Sequence, residues 1–189
     1  MFPRDIILGV CLAVVIGYFW NKKQEHVEVK LYWILILGAV AGHFPDFDSN
    51  ISVLTENAGW AHRSQYTHSI FGLLVWPAII AIAAFCVHLL LTRSKNLENF
   101  QIIYLSTFAA YLSHLFTDTI EDYPTPILYP FTTTPYFGFI PKNEFALPNT
   151  IIMIGSLFIS AFFLYLYYWV HAVEPQLKSL VQRYLRRRY

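Results

Sequence analysis

Apolar residues gather along this chain into five runs separated by polar stretches. A helix needs roughly 20 mainly apolar residues to cross the hydrocarbon core of a bilayer. Ser69 to Leu91 and Thr150 to Val170 meet that length, the first with His88 as its only ionisable group and the second with none. Phe100 to Phe116 is shorter and contains His114, and Ile6 to Trp20 and Leu31 to Phe44 are shorter still. The pattern predicts an all-α, polytopic transmembrane helical bundle of about five spans in one integral-membrane domain over 1–189. The spans are expected over 6–20, 31–44, 69–91, 100–117 and 150–171. A signal peptide fits the first run poorly, because Arg4 and Asp5 cancel and no small-x-small cleavage site follows.

Two further segments have their own patterns. Leu177, Leu180, Val181, Tyr184 and Leu185 recur with the helical period among arginines, which predicts an amphipathic interfacial helix over 174–189. Residues 118–149 hold six of the ten prolines together with Tyr123, Tyr129, Phe131, Tyr136, Phe137, Phe139 and Phe145. That stretch is not helical throughout, and its aromatic rings suit an outer loop at the headgroup level, either as a lid or as an ordinary aromatic belt.

Composition agrees with a bilayer as solvent: 56% of residues are hydrophobic and 13% charged, about half the charged share of a soluble domain. The net charge of +1 says little, but the distribution of Lys and Arg says more. With the N-terminus outside, ten of the thirteen fall on the cytoplasmic side, leaving Arg4, Arg63 and Lys142 on the other. Membrane lipids are therefore the expected partners. Nucleic acid is not, because there is no phosphate-cradling glycine loop and no basic groove interleaved with aromatics. Cys11 and Cys86 lie inside apolar runs and read as small buried packing residues.

In this topology three polar clusters reach one membrane face. They are Gly42-His43-Phe44-Pro45-Asp46-Phe47-Asp48, His62-Arg63-Ser64-Gln65-Tyr66-Thr67-His68-Ser69, and Ser113-His114-Leu115-Phe116-Thr117-Asp118. His114 and Asp118 are four apart and share a helix face, so both can grip one ion. Asp46 and Asp48 follow a proline and converge only if the chain turns there. His62 and His68 flank a turn at a helix start, where free backbone N–H groups can also hold an anion. Each cluster alone has a plainer reading, as a capped turn, a helix cap by Thr67 or Ser69, or a buried hydrogen bond. Together they offer three imidazoles and three carboxylates, enough for one or two divalent ions with room for water and substrate. His26, His88 and His171 lie away from the clusters and read as structural or solvated, while His43 could be a ligand or a supporting partner.

The clusters resemble those of a bacterial and archaeal integral-membrane family described as LexA-binding, inner-membrane-associated metal-dependent hydrolases. The resemblance covers roughly residues 35–140 and rests on Phe-Pro-Asp-Phe-Asp, His-Arg-Ser-Gln-Tyr-Thr-His-Ser, Leu-Ser-His-Leu-Phe-Thr-Asp and Pro-Ile-Leu-Tyr-Pro-Phe at 126–131. It implies Asp46, Asp48, His62, His68, His114 and Asp118 as the metal-site residues. Members commonly carry a histidine before the first span; here the chain has Met1-Phe2-Pro3-Arg4-Asp5, and Asp5 could substitute. No residue pattern points to a LexA-binding surface.

Zinc suits a His/Asp mixture, and manganese or iron would accept it. The expected chemistry is metal-assisted hydrolysis of a lipid or lipid-linked ester or phosphoester, with Asp48 or Asp118 as base and Arg63 steadying the anionic substrate. The rival is a metal-binding membrane protein without enzymatic activity, in which ions brace the helix ends or are transported. Transport fits less well, because the two cleanest spans carry almost no ionisable group in mid-span.

Overall fold

The computed structural model describes residues 3–23, 29–55, 63–121, 123–141 and 146–179. Its helices are α1 (Pro3–Lys23), α2 (Leu31–His43), α3 (Phe47–Thr55), α4 (Ile70–Thr92), α5 (Leu97–Ile120) and α6 (Ala146–Tyr168). A 3-10 turn over Phe44–Asp46 joins α2 to α3, and a π turn over Trp169–Val173 follows α6. α5 is the central helix and packs on α1, α2 and α4. The starts of α1 and α4 and the ends of α2 and α5 meet at one end of this bundle, as side-chain contacts among Asp5, Asp46, His68, His114 and Asp118 require.

α1 and α2 approach closely because small residues line their contact. A Cβ on Gly9 would lie 2.5 Å from the Gly38 carbonyl oxygen and 2.9 Å from the Gly42 Cα, and one on Gly42 would lie 2.6 Å from the Asp5 carbonyl oxygen. Small residues there let the two backbones come into van der Waals contact along the helix pair. Ala13, Ile34, Leu37, Ile102 and Ile103 fill the adjoining core.

The first turn of α4 is fully capped. Ser69 Oγ accepts from the Gly72 N–H at 3.2 Å and the Ser69 carbonyl from the Leu73 N–H at 2.9 Å. The remaining N–H groups, of Ile70 and Phe71, donate to the Ile127 and Tyr129 carbonyls at 2.8 and 3.3 Å. Sequence reasoning expected free N–H groups here for an anion; the proline-rich loop occupies them instead. That loop is irregular, as expected, with isolated bridges between Glu121 and Ile140 and between Thr125 and Tyr136.

Two of the five expected spans meet both length and hydropathy among the described residues: Ile70–Thr92 and Leu147–Tyr168. Both leave most of their apolar surface exposed, for example at Leu74, Leu90, Phe158 and Phe162. A core helix of a soluble protein would bury that surface, whereas lipid is its natural solvent. α1 and α5 have the length but carry Arg4, Asp5, His114 and Asp118. α2, with 13 residues, is about 20 Å long, short of the roughly 30 Å hydrocarbon core. Cys11 is buried as expected; Cys86 is exposed on the lipid-type face of α4. Most of the expected interfacial helix lies outside the described residues, which end at 179.

The helix contact yields a first expectation. Gly38→Val or Gly42→Ala places a Cβ against the backbone of α1 and lowers stability by about 1–3 kcal/mol. Gly155→Ala, where an added Cβ meets nothing within 4 Å, leaves stability unchanged or higher. Thermal unfolding in detergent reads the difference, and an equal response at all three positions would refute the packing account.

Candidate metal centre

The 3-10 turn that ends α2 carries Asp46, the capped start of α4 carries His68, and one face near the end of α5 carries His114 and Asp118. The two imidazoles face each other through Nε2 at 3.3 Å, and Asp46 Oδ1 lies 3.6 Å from His68 Nε2 and 3.5 Å from His114 Nε2. These three residues form a group able to hold one ion. Ligands bound at 2.0–2.1 Å in a tetrahedron are about 3.3–3.4 Å apart, close to those separations. Asp118 Oδ2 is buried and lies 3.1 and 3.3 Å from the same two nitrogens. Two imidazole nitrogens and carboxylate oxygens aimed at one point fit a cation, which would take the place of a proton there.

Both rings are oriented from behind. His68 Nδ1 lies 3.1 Å from Asp48 Oδ2, and His114 Nδ1 lies 2.9 Å from the Gly42 carbonyl oxygen. Donating a proton from Nδ1 to these acceptors leaves Nε2 as the ligating atom. Asp48 Oδ2 also accepts from the Ser64 N–H at 2.8 Å and the Thr67 hydroxyl at 2.7 Å. Asp48 therefore sits behind the His68 ring, on the side away from the shared point.

A matching family model describes the YdjM inner membrane protein and covers residues 3–181. The chain belongs to that family. No curated protein and no solved structure matches it. The family is one of inner membrane proteins, and the exposed apolar faces of α4 and α6 fit that placement.

Arg63 is buried, and its guanidinium is committed. It donates to Asp118 Oδ1 at 3.0 Å, to the Thr125 hydroxyl at 3.1 Å, to the Asp118 carbonyl at 3.3 Å and to Glu121 Oε2, and it stacks over the Tyr123 ring. Where a substrate-steadying role was expected for it, the side chain is seen anchoring the outer oxygen of Asp118. Its backbone is left-handed, with φ 60°, at a cost of about 1–2 kcal/mol that these buried contacts offset. Arg4 lies 3.6 Å from the same Asp118 oxygen and 2.7 Å from Asp5 Oδ1. With two arginines on the Oδ1 side of Asp118, that side is ill suited to a second cation.

Asp5 is buried, accepts from the Thr117 hydroxyl at 3.2 Å, and has its Oδ2 4.0 Å from His114 Nδ1. It backs His114 and does not reach the shared point. His43 does not join the group, His62 lies outside the described residues, and His88 is buried beside Asn99 near the far end of α4. Arg4, Gly42 and Thr117 are the members that sequence reasoning missed. The spacing Gly38-x3-Gly42 was a readable sign of close helix approach, and Thr117 lay inside the third polar cluster without a role of its own; nothing in the sequence alone gave Arg4 a partner at the site.

Electrostatics set the competition with protons. Burial opposes charge on His68, but Asp118, Asp46 and Asp48 outweigh it and push the imidazole up to about 9. Burial likewise opposes ionisation of Asp46, yet His114 and His68 hold its carboxyl well below the usual range. Asp48 is lowered too, by His68, the Thr67 hydroxyl and the Ser64 N–H acting against burial. A cation must displace the His68 proton, so affinity falls as pH drops below about 9, by about tenfold per unit for one displaced proton. Zinc titrations at several pH values between neutrality and that point should show affinity rising with pH; a flat profile would contradict the assignment of His68. Asp48→Asn should weaken binding about 10–100-fold without abolishing it.

Proposed function

We propose that this protein is a membrane-embedded, metal-dependent hydrolase acting at the outer face of the inner membrane on a lipid or lipid-linked phosphoester. Zinc is the preferred ion, with manganese or iron as alternatives. The observation that carries the reading is the meeting of Asp46 Oδ1, His68 Nε2 and His114 Nε2 within 3.6 Å of one another. Asp46 is the most exposed of the three, at 19%, so the group opens toward solvent on its side. The outward orientation rests on the ten-to-three split of Lys and Arg, which also puts the C-terminus in the cytoplasm.

An ion held there would supply Lewis-acid charge for the reacting phosphoryl group and acidify a nearby water. The rest falls to the chain. Asp48 and the Gly42 carbonyl hold the two imidazoles in the ligating orientation, with Asp5 behind His114. Asp118, fixed through Oδ1 by Arg63, presents Oδ2 as the base that takes a proton from the attacking water. The new P–O bond forms from that water, the bond to the leaving group breaks, and the departing oxygen leaves with a proton.

A second reading has its own observation in support. If Asp118 Oδ2 serves as a fourth ligand, the shell is closed and the ion braces the helix ends without catalysis. Elemental analysis of the detergent-purified protein comes first. About one ion per chain, lost in both Asp46→Ala and His114→Ala, is expected; no ion after reconstitution with zinc, manganese or iron would sink both readings. Asp118→Asn then separates them. As a base, Asp118 is needed for turnover, which drops by at least about a hundredfold with the ion retained; as a ligand, its loss removes the ion.

A further inference from the structure

α6 packs chiefly on α1, with Tyr18 and Phe19 edging against Phe163. A groove of about 370 Å³ lies between residues of α1, α5 and α6. Its lining is Leu8, Leu12, Leu112, Phe116 and Ile152, with Ser113 and Thr117. No polar surface is offered, because the two hydroxyls are spent on the Ala110 and His114 carbonyls at 2.7 and 2.8 Å. The volume lies in the range of ligand pockets, about 300–1,000 Å³.

Position distinguishes this groove from ordinary lipid-facing surface. Asp5, Leu8 and Leu12 follow one stripe of α1, so the groove runs away from the residue that backs His114. At its head the Thr117 hydroxyl touches Asp5 Oδ1, whose carboxylate lies 4.0 Å from the His114 ring. A comparable apolar groove of about 350 Å³, lined by Val15, Ile16, Phe19, Trp20 and Leu105, lies farther along α1, with no such chemistry in its lining among the described residues.

We infer that the groove between α1, α5 and α6 holds a single hydrocarbon chain of the substrate, so that the enzyme takes long-chain lipid phosphoesters and discriminates against short ones. This rests on the hydrolase reading above. The occupant is a lipid chain because the groove is dry, is continuous with the exposed apolar face of the candidate span α6, and ends beside the metal centre. Burying each methylene contributes about 0.8 kcal/mol, so a chain lying there adds specificity without any polar contact.

The test compares hexadecyl and ethyl p-nitrophenyl phosphodiesters with the zinc-loaded protein in nanodiscs. Leu112→Trp and Ile152→Trp, which fill the groove from its exposed rim, are expected to lose at least about tenfold in kcat/KM on the hexadecyl substrate, the worth of two buried methylenes. Activity on the ethyl substrate should be unchanged, and Leu105→Trp, in the other groove, should change neither. Unaltered chain-length preference in both rim variants would overturn the inference. If the wild type hydrolyses neither substrate, the hydrolase reading has failed, and the groove is read directly with a phospholipid bearing a diazirine in its tail. Saturable cross-links to α1 and α5 that Leu112→Trp removes would keep it as a lipid-chain site. Uniform labelling of the exposed faces of α4 and α6, or a dimer cross-linked through the groove, would overturn it.

Discussion

Asp118 is the interaction on which the arrangement of this chain depends. Its carboxylate divides its two oxygens between opposite tasks: Oδ1 meets Arg63 and Arg4, while Oδ2 lies against the two Nε2 atoms. Ions buried at the end of an apolar bundle carry a penalty of several kcal/mol each after relaxation, and they persist only as mutually compensating sets. Arg4 and Asp5 from α1, His68 before α4, and His114 and Asp118 from α5 form such a set. Removing one charge leaves the others uncompensated, so the set acts as a latch between helices that otherwise meet through small and apolar residues.

The latch closes only because α1 and α2 come close. Gly9, Gly38 and Gly42 let the backbones approach, and that approach puts the start of α1 beside the end of α2. The Gly42 carbonyl, in the last turn of α2, then holds His114 Nδ1. Helix packing and the chemistry of the centre are thus the same contact viewed from two sides. The proline-rich loop completes the enclosure by capping α4 and meeting Arg63 through Thr125 and Tyr123.

An outer layer of different character surrounds this polar end. α4 and α6 expose apolar side chains along most of their length, as befits an inner-membrane family. The same Asp118 that would serve as a base is close enough to serve as a ligand, so catalysis and bracing differ by the role of one oxygen atom.

Hydropathy alone was enough to read the helical class, the two strongest spans and the irregular loop, because run length and proline content act locally. The clusters around Asp46, His68 and His114 were legible as candidates, since their residue types and spacing bear directly on coordination. What the sequence could not decide was direction around each ring. Asp48 and Asp46 are two residues apart, yet one meets Nδ1 and the other approaches Nε2 of His68, a difference set by the turn after Pro45. Arg63, which sequence reasoning pointed at substrate, is instead consumed by Asp118 and Glu121, partners 55 and 58 residues away. Such long-range pairing is fixed only when the helices pack, because burial forces each charge to find a partner that no local pattern names.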